Sequence, residues 1–180
     1  MEPTRFKEVI ITTSRTPRAG ERPDKDMYFR SKADMTAGIR ERRFVQVLMH
    51  PSGDIYATAA DAYPTDGETA LMPVLAAIVP VFRALPFKRF RLVYVLPPDF
   101  GTWMERIKVH GFTPEQRAGR LEEAKVSLAL ALEEPDTLFL VSETEKEAAT
   151  DLRNLLDGAH DAVVQAGLRD HAACLLAQIY

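Results

Sequence analysis

Short apolar runs alternate with amphipathic stretches along this chain, and the alternation predicts its elements. Phe6–Thr13 (FKEVIITT) is β-branched and apolar, which predicts a buried strand. Residues 14–30 mix proline, glycine and charge and read as irregular. Ser31 is placed to cap a short helix through Arg42, with Ala33, Met35, Ala37 and Ile39 turned inward. Phe44–Met49 (FVQVLM) and Asp54–Ala59 (DIYATA) are strands, and His50-Pro51-Ser52-Gly53 between them is turn chemistry, so the three form a hairpin. Thr65 and Glu68 have the spacing of a capping box, opening an apolar helix to Leu85 that Pro73 and Pro80 kink or divide.

Arg91–Leu96 (RLVYVL) lacks polar alternation, the mark of a central strand buried on both faces. A short helix follows over Phe100–His110 and stops at Gly111. Thr113-Pro114-Glu115-Gln116 combines a cap, a proline at the first helical position and a capping-box glutamine, so a helix runs from there to Glu134. Thr137–Val141 is the last strand. Thr144 and Glu147 form another capping box, with Leu152, Leu155, Leu156, Ala159 and Val163 on one face of a helix closed by Gly167. Leu168–Tyr180 makes a final helix with Leu175, Leu176 and Ile179 inward. The expected class is α/β, of the mixed α+β kind. A five-stranded mixed sheet carries packed helices, with RLVYVL central and an extra helix at the C-terminus.

At 180 residues, one domain over 1–180 is expected, with no linker dividing it. The 46% hydrophobic and 27% charged fractions exclude wholesale disorder. No run approaches a membrane span, and MEPTRFKEV has charges where a secretory apolar region would lie. The lone Cys174 cannot form an internal disulfide and fits a reducing cytoplasm, where it reads as packing rather than a reactive thiol.

Charge is unevenly spread. Residues 1–43 hold eleven Lys and Arg against seven Asp and Glu, a balance of +4, and the remainder holds twelve against nineteen, or −7. Arg15, Arg18, Arg22, Arg30, Arg40, Arg42 and Arg43 lie in this basic, partly irregular segment, whose arginines are candidates for neutralising nucleic-acid phosphates. The plainer alternative is a solvated loop whose arginines meet the protein's own acids.

The order hairpin, helix, apolar strand, helix, strand, helix resembles the ribonuclease H-like fold. GETALMPVLAAIVPVFRAL is similar to that family's first long helix, and RLVYVLPPDFGTWMERI to its fourth strand and following helix. The resemblance implies a two-metal carboxylate site. It would place Glu68 on the helix, Asp99 past the strand and Asp151 on the last core helix as the candidate catalytic and metal-binding residues. The family's first-strand aspartate has no counterpart, because Thr12, Thr13 or Ser14 stands there and a hydroxyl cannot bridge two cations. Each acid also has a structural reading at a helix start.

Over seven residues, ITTSRTP also resembles the opening strand of the Brix domain, and nothing later continues that likeness. His50, His110, His160 and His171 show no zinc spacing, and the serines sit in no G-x-S-x-G elbow. Neither a G-x-G-x-x-G nor a Walker loop occurs in the 180 residues. The expectation is a non-catalytic or degenerate ribonuclease H-like binding module, a subunit or adaptor for nucleic acid or a protein partner. The alternatives are a metal-dependent nuclease with a diverged site and a small-molecule-binding α/β domain. No cofactor is expected, except Mg²⁺ or Mn²⁺ under the nuclease alternative.

Overall fold

Where one strand is expected over residues 6–13, the backbone forms two. The computed structural model describes residues 5–50, 52–64, 67–109 and 111–180. They divide into two compact units, one over residues 1–85 and one over 86–180.

In the first unit, β1 (Phe6–Glu8) pairs in parallel with β6 (Thr69–Leu71). The chain then passes to a second sheet, in which β2 (Thr12–Thr13) lies between β3 (Tyr28–Phe29) and β5 (Ile55–Ala59), with β4 (Phe44–Met49) outermost. The hairpin forms as expected, β4 against β5, with a register shift between Phe44 and Gln46. Helix α1 (Lys32–Arg40) starts at Ser31, whose hydroxyl accepts from the Asp34 amide at 3.0 Å. Its buried positions are Met35 and Gly38, while Ala33 and Ile39, expected inside, are exposed.

The helix expected from Glu68 to Leu85 is absent. Thr69–Leu71 is strand, Ala76–Ile78 is a single 3₁₀ turn, and only Val79–Ala84 (α2) is α-helical. Pro73 biases Met72 away from helical backbone. Pro80 is tolerated because it falls in the first turn of α2, where no amide is needed. Thr65 of the expected capping box lies outside the described residues.

In the second unit, β7 (Val93–Leu96) and β8 (Leu138–Val141) pair in parallel. Helices α3 (Phe100–Val109), α4 (Pro114–Glu133), α5 (Glu145–Leu156) and α6 (Ala162–Ile179) complete it. The Thr113 capping box is formed in both directions, with Gln116 returning its side chain to the Thr113 amide at 3.0 Å. Leu96, Leu128, Ala131, Phe139, Ala172 and Leu175 make the core. Strand β7 is buried on one side only: Leu96 is enclosed, but Val95 is 52% exposed. The α5 helix ends early, at left-handed Gly158 (φ 86°), and Asp161 caps α6 by accepting from the Val163 amide at 2.6 Å. Ala159 and Val163, expected to face inward, are exposed, and Gly167 lies within α6.

The described strands therefore make a four-stranded sheet and two parallel pairs, in place of a five-stranded mixed sheet. Among the described residues, no helix is long and apolar enough to cross a membrane.

One glycine governs the packing of α1 on its sheet. A Cβ on Gly38 would stand 2.6 Å from the Phe44 ring. Gly38→Ala should therefore destabilise the protein by about 1–3 kcal/mol, despite the better helix propensity of alanine. Urea unfolding of the two proteins checks this, and an unchanged or raised midpoint would refute the close approach.

Candidate functional site

Side chains alternate across a strand, so the register of the four-stranded sheet sorts its residues onto two faces. Thr12, Ala57 and Val47 fall in line on one face, where Met35 of α1, Ile55, Ala57, Phe44 and Val47 form an apolar cluster. Thr13, Tyr56 and Leu48 fall in line on the other, joined by Phe29 beside Thr13 and by Gln46 opposite Thr58. This second face is polar and yet enclosed: Thr13 and Thr58 are fully buried and Gln46 is 7% exposed. The Thr58 and Tyr63 hydroxyls are hydrogen-bonded at 2.8 Å, and burial pushes the Tyr63 phenol above its ordinary range. At the strand end, Ser14 accepts from the Ile55 amide at 2.8 Å.

Beside this face sits Arg15. Its guanidinium lies 5.4 Å from the centroid of the Phe29 ring, within cation–π range. Nη1 donates to Glu21 Oε2 at 2.7 Å and to the Thr16 carbonyl at 3.0 Å. Nη2 donates to Glu21 Oε1 at 2.5 Å and to Met27 Sδ at 3.3 Å. Nε is buried and has no acceptor. The Arg18 amide also donates to Glu21, at 2.7 Å. The Arg15 fork holds the Glu21 carboxyl far below the usual carboxylate range, at about 2, and the same pair raises Arg15.

The basic segment does not present a continuous cationic surface. Arg22 pairs with Asp26 at 2.9 Å, Arg30 with Asp24 at 3.6 Å, and Arg43 with Glu41 at 2.9 Å. Arg40, Arg42 and Arg43 lie at the far end of α1, away in sequence from the loop that carries Arg15, Arg18 and Arg22. Arg42 serves the backbone there, with a left-handed φ of 57°.

Glu68 is exposed and precedes a strand rather than standing on a helix. Asp99 caps α3, accepting from the Thr102 amide at 2.8 Å and its hydroxyl at 2.6 Å, and these bonds lower its pKa. Asp151 is exposed on α5, at a polar recess of about 610 Å³ with Lys146 and Glu147. Among the described residues, no group of three or more His, Cys, Asp or Glu is placed to hold a metal ion. His110 lies outside the described residues, and Cys174 is exposed on α6, not packed inside as expected.

Sequence reading passed over Glu21, Gln46, Tyr56, Thr58 and Tyr63. The signal was present as period-2 spacing: Gln46 in one strand, and Tyr56 and Thr58 in the next, put polar groups on one face of a hairpin whose other face is apolar.

Comparison with known proteins gives a consistent result. A guanylate kinase of Thermus thermophilus is 30% identical over 130 residues, which are 69% of this chain and 58% of that protein. The guanylate kinase of Nocardia farcinica is 29% identical over 140 residues, covering 74% of this chain and 71% of that one. The chain thus spans less than two thirds of the Thermus relative. No family model matches. Among solved structures, the guanylate kinase from Anaplasma phagocytophilum superposes with a TM-score of 0.63 at 18% identity, over 92% of this chain and 82% of its own.

The fold is accordingly that of this guanylate kinase structure. These likenesses overturn the ribonuclease H-like assignment, and with it the nucleic-acid-binding module and the diverged nuclease. Both assignments share alternating strands and helices; what misled was reading Gly67–Leu85 as one long helix after a hairpin.

The Arg15–Glu21 pair has a defined pH signature. Because the folded pKa of Glu21 is about 2, against about 4.3 in an unfolded chain, its contribution is present above the unfolded value and is lost as pH falls through 2. Carbon-detected NMR should give a Glu21 midpoint near the value in the structure, and Arg15→Met should return it toward the ordinary glutamate range. An ordinary midpoint in the wild type would contradict the bidentate pairing.

Proposed function

We propose that this chain is a nucleotide kinase of the guanylate kinase type, and that the polar face of its four-stranded sheet receives GMP. The observation that carries this reading is an enclosed polar face beside an arginine fork, in a chain similar to guanylate kinases over most of its length. Arg15 and Arg18 are assigned to the phosphate, since a planar guanidinium matches its oxygens. The arginine-rich loop thus keeps its affinity for phosphate, but toward a single nucleotide rather than a strand.

Gln46 and Thr58 are assigned to the base. Guanine offers O6 and N7 as acceptors and its N2 amine as a donor. A glutamine amide and a threonine hydroxyl can each donate and accept, so the pair suits both edges. Tyr56 lies on the same face, opposite Thr13 and Leu48, where its ring supplies an aromatic wall.

In the reaction a phosphate oxygen of GMP attacks the γ-phosphorus of ATP, the bond to the bridging oxygen breaks, and GDP and ADP result. The acceptor-side residues contribute by binding and orientation, the principal means of catalysing phosphoryl transfer. ATP and Mg²⁺ accompany this reading, with the metal carried on the donor's phosphates. The described residues hold no carboxylate cluster for it, and the 180 residues hold no Walker loop for the donor. A cytoplasmic location belongs to the same proposal.

Isothermal titration with GMP and AMP tests the site, with nucleotide chromatography of ATP and GMP mixtures as the test of transfer. GMP is expected to bind at least about tenfold tighter than AMP, a difference of about 1.4 kcal/mol. Gln46→Ala should remove most of that preference, and Arg18→Ala should weaken GMP without changing the preference. Equal binding of the two nucleotides, or no GMP binding, would overturn the acceptor assignment.

A further inference from the structure

The face that carries Gln46 and Tyr56 continues into the turn between β4 and β5. His50 stands two residues beyond Leu48, and its amide donates to the Asp54 carbonyl at 2.8 Å, so His50 and Asp54 lie opposite each other at the end of the ladder. Tyr56 is then the diagonal neighbour of His50, a spacing that aromatic side chains reach across. The two rings meet edge to face, with centroids 6.0 Å apart and planes at 67°.

The His50 ring is anchored in the turn as well. Nδ1 lies 2.8 Å from the Ser52 hydroxyl, and that hydroxyl lies 2.8 Å from Asp54 Oδ2. Each contact needs a proton between its two atoms. Serine brings one and an ionised carboxylate brings none, so the second proton sits on Nδ1. His50 therefore donates to Ser52, and Ser52 donates to Asp54. The Ser52 amide stands 3.1 Å from the same nitrogen, but a bare Nδ1 accepting from it would leave the hydroxyl with one proton for two short contacts. Ser52 is exposed, so water serves its amide. A hydrogen bond at one ring nitrogen fixes both the tautomer and the orientation of an imidazole.

Tyr56 has a fixed backbone and a ring that still needs placing. Ile55 and Ala57 on either side of it are buried, while Tyr56 is half-buried, and the backbone alone leaves its side chain several staggered positions. Glu21 chiefly, and Tyr56 in addition, raise the Arg15 guanidinium, so the ring also stands near the arginine end of the face.

We infer that His50 is a positioning residue for the nucleotide site: anchored through Ser52 to Asp54, its ring sets the aromatic wall that Tyr56 presents to the base. This rests on the acceptor reading above and adds what orients that wall. No proton or covalent bond changes hands in this role.

Titration calorimetry with GMP on wild type, His50→Asn and His50→Phe, together with imidazole nitrogen NMR of wild type and Ser52→Ala, tests this. Asparagine can keep the donor to Ser52 without the ring, and phenylalanine keeps the ring without the donor. His50→Asn should weaken GMP about three- to tenfold, and His50→Phe should return to within about twofold of wild type. A merely structural turn would give the reverse order, since asparagine keeps the link that holds it. The NMR should show a proton on Nδ1 in the wild type and its loss from that nitrogen in Ser52→Ala. Wild-type affinity in His50→Asn, or no recovery in His50→Phe, would overturn the positioning role while leaving GMP as the ligand. A bare Nδ1 in the wild type would overturn the anchor. If none of the proteins binds GMP, the acceptor site itself is misassigned and the positioning role falls with it.

Discussion

A strand exposes its side chains alternately to two sides, and in the four-stranded sheet this rule sends the apolar cluster one way and most of the buried polar groups the other. Ile55, Ala57 and Val47 turn toward Met35 of α1, and Thr13, Tyr56, Thr58 and Gln46 turn the other way. The register shift between Phe44 and Gln46 is what allows both. Phe44 and Val47 are an odd number of residues apart, and the irregularity brings both side chains to the apolar side while Gln46 stays opposite Thr58. Moving the strand by one residue would put Gln46 in the core and Val47 among the hydroxyls.

The polar side then needs its own partners, because buried hydroxyls and amides are costly when unpaired. Thr58 finds Tyr63, Ser14 receives the Ile55 amide, and Arg15 finds Glu21. The two arrangements at this face differ in kind. The Thr58–Tyr63 pair is neutral and complete, whereas the Arg15 fork is charged and leaves one donor over.

The second unit solves a different problem. Its parallel pair of strands is short, and α6 secures the edge of β8 with a side chain. Gln165 accepts from the Phe139 amide at 2.8 Å and donates to its carbonyl at 3.0 Å, imitating a neighbouring strand. Arg169, one turn later, donates to the Leu132 carbonyl at 2.7 Å and the Glu134 carbonyl at 3.0 Å, closing the end of α4. These contacts hold α4, β8 and α6 around Phe139 and Leu175 without drawing on Glu68, Asp99 or Asp151.

Local chemistry was legible in the sequence. The Ser31 and Thr113 caps, Pro114 at a first helical position and the hairpin over 44–59 all depend on residues within a few positions of one another, and all formed where the spacing placed them. The segment 67–85 was not legible, because its apolar run suits either a strand or a helix and only pairing with β1 decides for the strand at Thr69–Leu71. Nor was the site. Thr13 and Tyr56 are 43 residues apart in the sequence and Thr58 and Gln46 belong to different strands, so their shared face exists only once the register is set. The sequence alone determined which residues could cap, turn and alternate. Tertiary structure decided that Arg15 would be enclosed, since the pairing of β2 with β3 and β5 brings Phe29 against it, and no local pattern contains that pairing even though Glu21 is only six residues away.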